Sequence, residues 1–219
     1  MSRLEGEAAA ITQVGLKSGQ PEVERSAIYA AALFGFPFVE NFIPSLQTLL
    51  GSSDPSVVRA ALGTLGSFGP VALPAVPAIE PLIGKNADRV LQVHARVAIA
   101  RIQGAQDRNV LRQTLNFLDS ALSSDDPAVR ASTVHGLGQL GRMARPSVAA
   151  LLGYLRRPLS EIERLQVAIS LLRIGTPTAQ RVAERIIAKS RESSDPAVRA
   201  TLQSITAPAP STQDEAGGK

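Results

Sequence analysis

Cysteine and tryptophan are absent from the 219 residues, methionine occurs twice, and aromatic residues make up only 4%. Without cysteine the chain forms no disulfide, thiolate metal site or cysteine nucleophile. Histidine occurs only as His94 and His135. Two are too few for the commoner multi-histidine metal sites, and neither lies in an H-E-x-x-H motif. Few aromatics beside abundant Val, Ile, Leu, Ala and Arg favour stacked helices over a β-sandwich. The nearly apolar run Ala27 to Val39 is broken by Pro37, and it falls short of the roughly 20 residues that span a bilayer. The opening MSRLEGEAAAITQ carries two acidic residues and lacks the basic and apolar regions of a secretory signal. The expectation is a soluble, cytoplasmic chain with no membrane segment, no cofactor and no metal.

What the chain has is a repeated phrase. DPAVRA occurs at Asp126–Ala131 and Asp195–Ala200, and the near copy DPSVVRA begins at Asp54. Asp54, Asp88, Asp126, Ser160 and Asp195 each precede a helical apolar pattern at spacings of 34, 38, 34 and 35, and Gln20 extends the series backwards by 34. Asp accepts hydrogen bonds from the free N–H groups of a helix start, and Pro in the first turn has no N–H to leave unpaired. At Ser160 a capping box with Glu163 serves the same end. Apolar residues then follow at helical spacing, as in Val23, Ala27, Ile28, Ala31, Phe34 and in Val57, Ala61, Leu62, Leu65, Phe68. Gly35, Gly69, Gly104, Gly141 and Gly175 are the expected stops, as left-handed C-terminal caps.

A second helix fits behind each glycine, on Val39, Ile43, Leu46 and Leu50 in the first unit and Val148, Leu151, Leu152 and Leu155 in the fourth. The unit is a helical hairpin. The third unit, with Leu111, Leu115, Leu118 and Leu122, reads about one turn longer, and Pro81 in the second should kink or end its helix. Gly66 and Gly138 sit at equivalent places inside first helices, where each costs about 1 kcal/mol relative to Ala; close approach of a neighbouring helix is the expected compensation. At the ends, Ser2 and Glu5 suggest a further capping box before Leu4, Ala8, Ile11 and Val14, a stripe expected to cover the first hairpin. The final DPAVRA starts a partnerless helix. APAPSTQDEAGGK reads as a flexible tail.

These residues resemble the HEAT repeat family, particularly its short bacterial variety, whose helices begin DPxVR and run into LGxLG as DPSVVRAALGTLGSFG and DPAVRASTVHGLGQLG do here. The resemblance spans roughly Gln20 to Ile205. It implies an all-α, right-handed α-solenoid of about five helical hairpins with a lone capping helix at each end. In domain terms, residues 1–205 form one repeat domain, with 1–18 as the N-terminal cap, repeats starting near 20, 54, 88, 126 and 160, the last helix from 195, and 206–219 as the tail. Such repeats serve as scaffolds, adaptors, chromophore-lyase subunits and, in some cases, DNA-repair enzymes.

Catalytic constellations are scarce. GLGQLG at Gly136–Gly141 imitates part of a nucleotide-binding signature but has no preceding strand. Asp125 and Asp126 are better explained by helix capping than as an acidic dyad, and the histidines by structural roles on first helices. No catalytic residue is nominated, and the chain reads as no enzyme.

Charge is more informative. Residues 1–86 hold five Lys/Arg against seven Asp/Glu, and residues 87–205 hold seventeen against ten; nineteen of the 23 basic residues are Arg. Arginine favours planar, multidentate contact with carboxylates or phosphates. Arg108 and Arg112 in the third unit, Arg145, Arg156 and Arg157 around the fourth unit's second helix, and Arg181 and Arg185 in the fifth are the candidates. Because second helices in the resembled family line the inner, concave face, the resemblance implies that these arginines share one basic groove; a solvated helix face is the plainer reading of each. In FGFPFVENF, Phe36 and Phe38 are candidate aromatic contacts, with core filling as the alternative. The reading is an interaction scaffold for a protein with an acidic segment; the alternatives are a nucleic-acid-binding solenoid and a lyase-type enzyme-associated subunit.

Overall fold

A computed structural model describes residues 3–35, 38–84 and 87–206. Among them there is no strand, and the chain runs through twelve α-helices with three interposed 3-10 segments. The first hairpin is α2 (Pro21–Ala31) with α3 (Phe38–Leu49), preceded by α1 (Arg3–Gly15). In the second, α4 (Pro55–Phe68) is followed by 3-10 turns at Gly69–Ala75, the short α5 (Val76–Ile79) and further 3-10 turns at Glu80–Ile83. Next come α6 (Arg89–Gln103) with α7 (Arg108–Ala121). The fourth hairpin is α8 (Pro127–Leu140), a 3-10 segment Gly141–Ser147 and α9 (Val148–Tyr154). The last is α10 (Glu161–Ile174) with α11 (Pro177–Ser190), and α12 (Pro196–Thr206) closes the stack.

The repeated phrase does what its chemistry dictates. The carboxylates of Asp54, Asp126 and Asp195 accept from the N–H two residues on, at 2.7, 2.8 and 2.8 Å. The phrase also begins earlier than DP: the hydroxyls of Ser52, Ser124 and Ser193 accept from the N–H of those same aspartates. At α10 the capping box is complete, with the Ser160 N–H donating to Glu163 at 2.8 Å and the Glu163 N–H donating to Ser160. Four residues after the cap, a side chain reaches back to the incoming loop: Glu24 accepts from the Gly19 N–H, Gln92 donates to Gly84 and Ala87, Arg130 to Ser124 and Asp125, and Arg164 to Leu155 and Arg157. Loop backbone groups that would otherwise lack partners are satisfied by three different chemistries at one position.

First helices stack directly on one another, α2 on α4, α4 on α6, α6 on α8 and α8 on α10. Glycine permits the closest of these contacts. A Cβ on Gly66 would lie 3.2 Å from the Ala98 backbone, and one on Gly138 would lie 2.7 Å from the Ser170 hydroxyl and 3.1 Å from its Cα. The buried side chains between the two layers form two main clusters, one with Ile28, Leu46, Leu62 and Ile102 and one with Leu118, Leu137, Leu151 and Leu171, all nearly inaccessible. At the C-terminal end Val198 and Leu202 of α12 pack with Leu165.

Several local expectations are corrected. Helix α2 ends at Ala31 with a right-handed cap at Ala32, before Gly35, and Gly104 is also right-handed at φ −64°. Gly175 is the left-handed cap; Gly69 and Gly141 have positive φ with ψ near −130°, which swings the chain into 3-10 turns. The second unit therefore has no continuous second helix for Pro81 to kink. Pro74, Pro77 and Pro81 lie in short turns, where missing N–H groups cost little. The third unit's extra length is not an extra turn of α7, which has 14 residues like α11. It comes from one more residue in α6 than in α10 and a four-residue link, 104–107, in place of 175–176.

The stripe Leu4, Ala8, Ile11, Val14 faces away from the first hairpin: Leu4, Ile11 and Val14 are 73–75% exposed. The opposite face packs instead, with Thr12 and Leu16 buried and Gln13 donating to Ser45 at 2.8 Å, because Gly15 lets α1 close against Ala27. Pro55–Ile83 is long and apolar enough to cross a membrane by length and composition. It turns at Gly69, however, and Val57, Ala61, Leu65, Ala72 and Ile79 lie in the core. Ser2, Phe36 and the tail from 207 lie outside the described residues.

Two predictions follow the packing and the caps. Gly63 points into open space while Gly138 meets Ser170. Gly63→Ala should raise the stability read from urea unfolding by about 1 kcal/mol through helix propensity, and with it the midpoint, whereas Gly138→Ala should lower stability by about 1–3 kcal/mol through overpacking. Midpoints moving in one direction would refute the close-approach account. Hydrogen bonds from Ser160 hold the Glu163 carboxylate below its ordinary value. That stability is present above the unfolded carboxylate pKa and fades as pH falls through the lowered one. Ser160→Ala should cost about 1 kcal/mol at pH 7 and less under acid conditions, read from melts across pH 3 to 7 on the scale where carboxylates titrate.

Candidate partner-binding groove

The outward face of each first helix is set by its cap. Residues six, nine and thirteen positions after the cap share one side of a 3.6-residue helix. Applied to the observed starts, this side carries Ser26 and Tyr29 on α2, Ala60, Gly63 and Ser67 on α4, His94 and Arg101 on α6 with Val97 between them buried, Ser132, His135 and Gln139 on α8, and Gln166, Ile169 and Arg173 on α10. Arg25 and Arg59 stand beside it, five residues after their caps. In DPSVVRA the extra valine places Val58 where DPAVRA has Arg130, so Arg59 is displaced by one residue. One residue is a 100° turn. Val58 is therefore buried, Arg130 bonds the loop, and Arg59 is delivered to the outward face.

Two depressions occupy this face. The larger, about 780 Å³, is lined by Arg25, Tyr29, Arg59 and Arg101 among others; the smaller, about 370 Å³, by Ser132, Gln166, Ser170 and Arg173. They share His94 and His135 at their seam. Neither lining contains an aspartate or a glutamate. Among the described residues no carboxylate forms an ion pair with these arginines; Arg25 donates to the Ser56 hydroxyl at 3.2 Å.

Burial pushes His94 down to about 4, assisted by the positive potential of His135 and Arg59. His135 is also lowered, first by burial and then by Arg173, and burial lowers Arg101. At neutral pH the seam thus holds two uncharged imidazoles between permanently charged guanidinium groups. Among the described residues no three His, Cys, Asp or Glu side chains gather to hold a metal.

The arginines expected on second helices are all exposed. Arg185 lines a depression of about 430 Å³ with Arg164, Lys189 and the carboxylate of Glu161. Arg112 donates to Asn109 at 2.8 Å, and Arg157 donates to the Leu122 carbonyl beside the Tyr154 ring. Arg108, Arg145, Arg156 and Arg181 line none of these depressions. Other arginines pack: Arg89 and Arg96 lie 4.8 and 4.4 Å from the centre of the Phe117 ring. Phe38 is half-buried, edge-on to Phe34 at 5.5 Å and packed against the core.

Sequence reasoning missed Arg25, Arg59, Arg101 and Arg173. Their signal was present as positions counted from each cap, but net charge by halves conceals it, because Arg25 and Arg59 belong to the acidic half.

No curated protein matches the chain. Among solved structures, a crystal structure of an engineered protein from the Northeast Structural Genomics Consortium is 19% identical, with a TM-score of 0.44, over 90% of this chain and 94% of that one. Residues 8–100 match the family model for HEAT repeats. That match covers the first two hairpins and most of α6, and the same pattern of capped, stacked first helices continues beyond it through α8 and α10.

Proposed function

We propose that the chain is a non-enzymatic scaffold that receives the acidic segment of a partner protein along the outward face of its first helices. The observation that carries this reading is the convergence of Arg25, Arg59, Arg101 and Arg173 with two imidazoles on depressions whose linings include no carboxylate. Guanidinium groups form charge-assisted, often bidentate bonds to carboxylates. Helices that stack through close glycine contacts hold those donors in place before binding, which reduces the ordering cost of association. HEAT repeats generally act as protein-interaction scaffolds, and the extended surface of a stacked repeat suits an extended segment. The contact thus moves from the second-helix arginines to the first-helix layer.

The test uses the full chain and a fluorescein-labelled oligo-glutamate peptide, followed by anisotropy at low salt. The double reversal Arg59→Glu with Arg101→Glu should weaken binding by at least about tenfold, equivalent to 1.4 kcal/mol. Arg181→Glu with Arg185→Glu should leave it nearly unchanged. The opposite ranking would put the partner on the second helices. Tighter binding of single-stranded DNA of equal length, with a steep salt dependence, would replace the protein reading by nucleic-acid binding.

A further inference from the structure

We propose that the smaller depression, between α6, α8 and α10, is a subsite for a phosphate monoester, presented as a phosphorylated side chain within the acidic segment. This rests on the groove reading above and adds to it a chemical class. His94, Ser132, His135, Gln166 and Arg173, whose side chains carry donor-capable groups, line one space of about 370 Å³ together with Ala131, Val134, Ile169 and Ser170. Ser170 is already committed, its hydroxyl donating to the Val134 carbonyl at 2.9 Å. A carboxylate offers two oxygens to such a set; a phosphate monoester offers three strong acceptors and close to two negative charges at neutral pH. The space admits the group together with the side chain that carries it.

The histidine pair favours the dianion further. His94 is faced by His135 from α8 and Arg59 from α4, and shares α6 with Arg101; His135 is faced by His94 and by Arg173 from α10. Burial first, and then these neighbours, each of which is a cation or can become one, keep the imidazoles neutral at neutral pH. A dianion between them reverses the sign of the local potential and favours the protonated form of both. Each imidazole then takes up a proton from solvent on the nitrogen that lacked one and becomes a donor through both nitrogens. A divalent metal fits this site poorly, since two imidazoles find no third His, Cys, Asp or Glu among the described residues.

The experiment compares two glutamate-rich peptides that differ only in a central serine or phosphoserine, with inorganic phosphate as a third probe, against the full chain at pH 6.5. Anisotropy gives affinities, and NMR of the two imidazoles gives their titration. The phosphoserine peptide should bind about tenfold more tightly than the serine peptide. That ratio should fall to about one in Arg173→Gln and in His135→Gln, and should persist in Arg185→Gln. Both histidine pKa values should rise by about one unit or more with the phosphopeptide bound, the scale expected for an opposite charge within reach. Equal affinities of the two peptides would overturn the subsite while leaving the acidic groove intact, as would a ratio that survives both substitutions. If neither peptide binds, the groove reading fails and inorganic phosphate decides alone. A rise of both pKa values then assigns the subsite to free phosphate, and no rise overturns it.

Discussion

Between α4 and α6 and between α8 and α10, the first helices lie close enough for backbone and side chain to touch without an intervening Cβ. Gly66 against Ala98 and Gly138 against Ser170 make that approach possible. A hydroxyl crosses two of these seams at equivalent places: Ser170 donates to Val134, and Thr64 makes a longer contact with Ile28, in both cases 36 residues away. The hydroxyls are buried, so each bond is made where water cannot substitute for it. The tight layer brings the outward faces of α4, α6, α8 and α10 side by side, and the groove exists because they are adjacent.

The second layer is built under weaker demands. It is a regular helix in α3, α7 and α11 but a chain of 3-10 turns and short helices in the second and fourth units. Ala72, Ala75, Ile79, Ala144 and Leu151 still reach the core from these irregular segments. Regular geometry is therefore kept in the layer that carries the groove and relaxed where the requirement is to cover apolar surface. Arginine follows the same division: Arg130 and Arg164 fasten loops, Arg89 and Arg96 cover Phe117, and Arg25, Arg59, Arg101 and Arg173 line the depressions.

The helix starts were legible because capping is local. Asp54 and its Ser56 N–H are two residues apart, and the Ser160–Glu163 box spans three. The close-approach role of Gly66 and Gly138 was legible because helix propensity alone disfavours them there. The helix ends were less so: Gly35 and Gly69 look alike in sequence, yet only Gly69 adopts positive φ, a choice made by the surrounding packing. The outward stripe of α1 misleads for a related reason. Large apolar side chains mark the buried face only when the neighbour leaves room for them, and Gly15 against Ala27 closes that room. The groove was least legible, since it depends on helix phase across five units, and a one-residue shift between DPSVVRA and DPAVRA changes what an arginine does.

The fastening four residues into α2, α6, α8 and α10, which α4 replaces with the buried Val58, has a consequence for how units can be copied. Glu24, Gln92, Arg130 and Arg164 grip the loop that enters their own helix, by accepting or donating as their chemistry allows. In these four units the hinge is therefore made from residues close together in the chain. A duplication that copies one hairpin with its leading loop carries its own fastening and asks the recipient only for a glycine-lined flank to rest against.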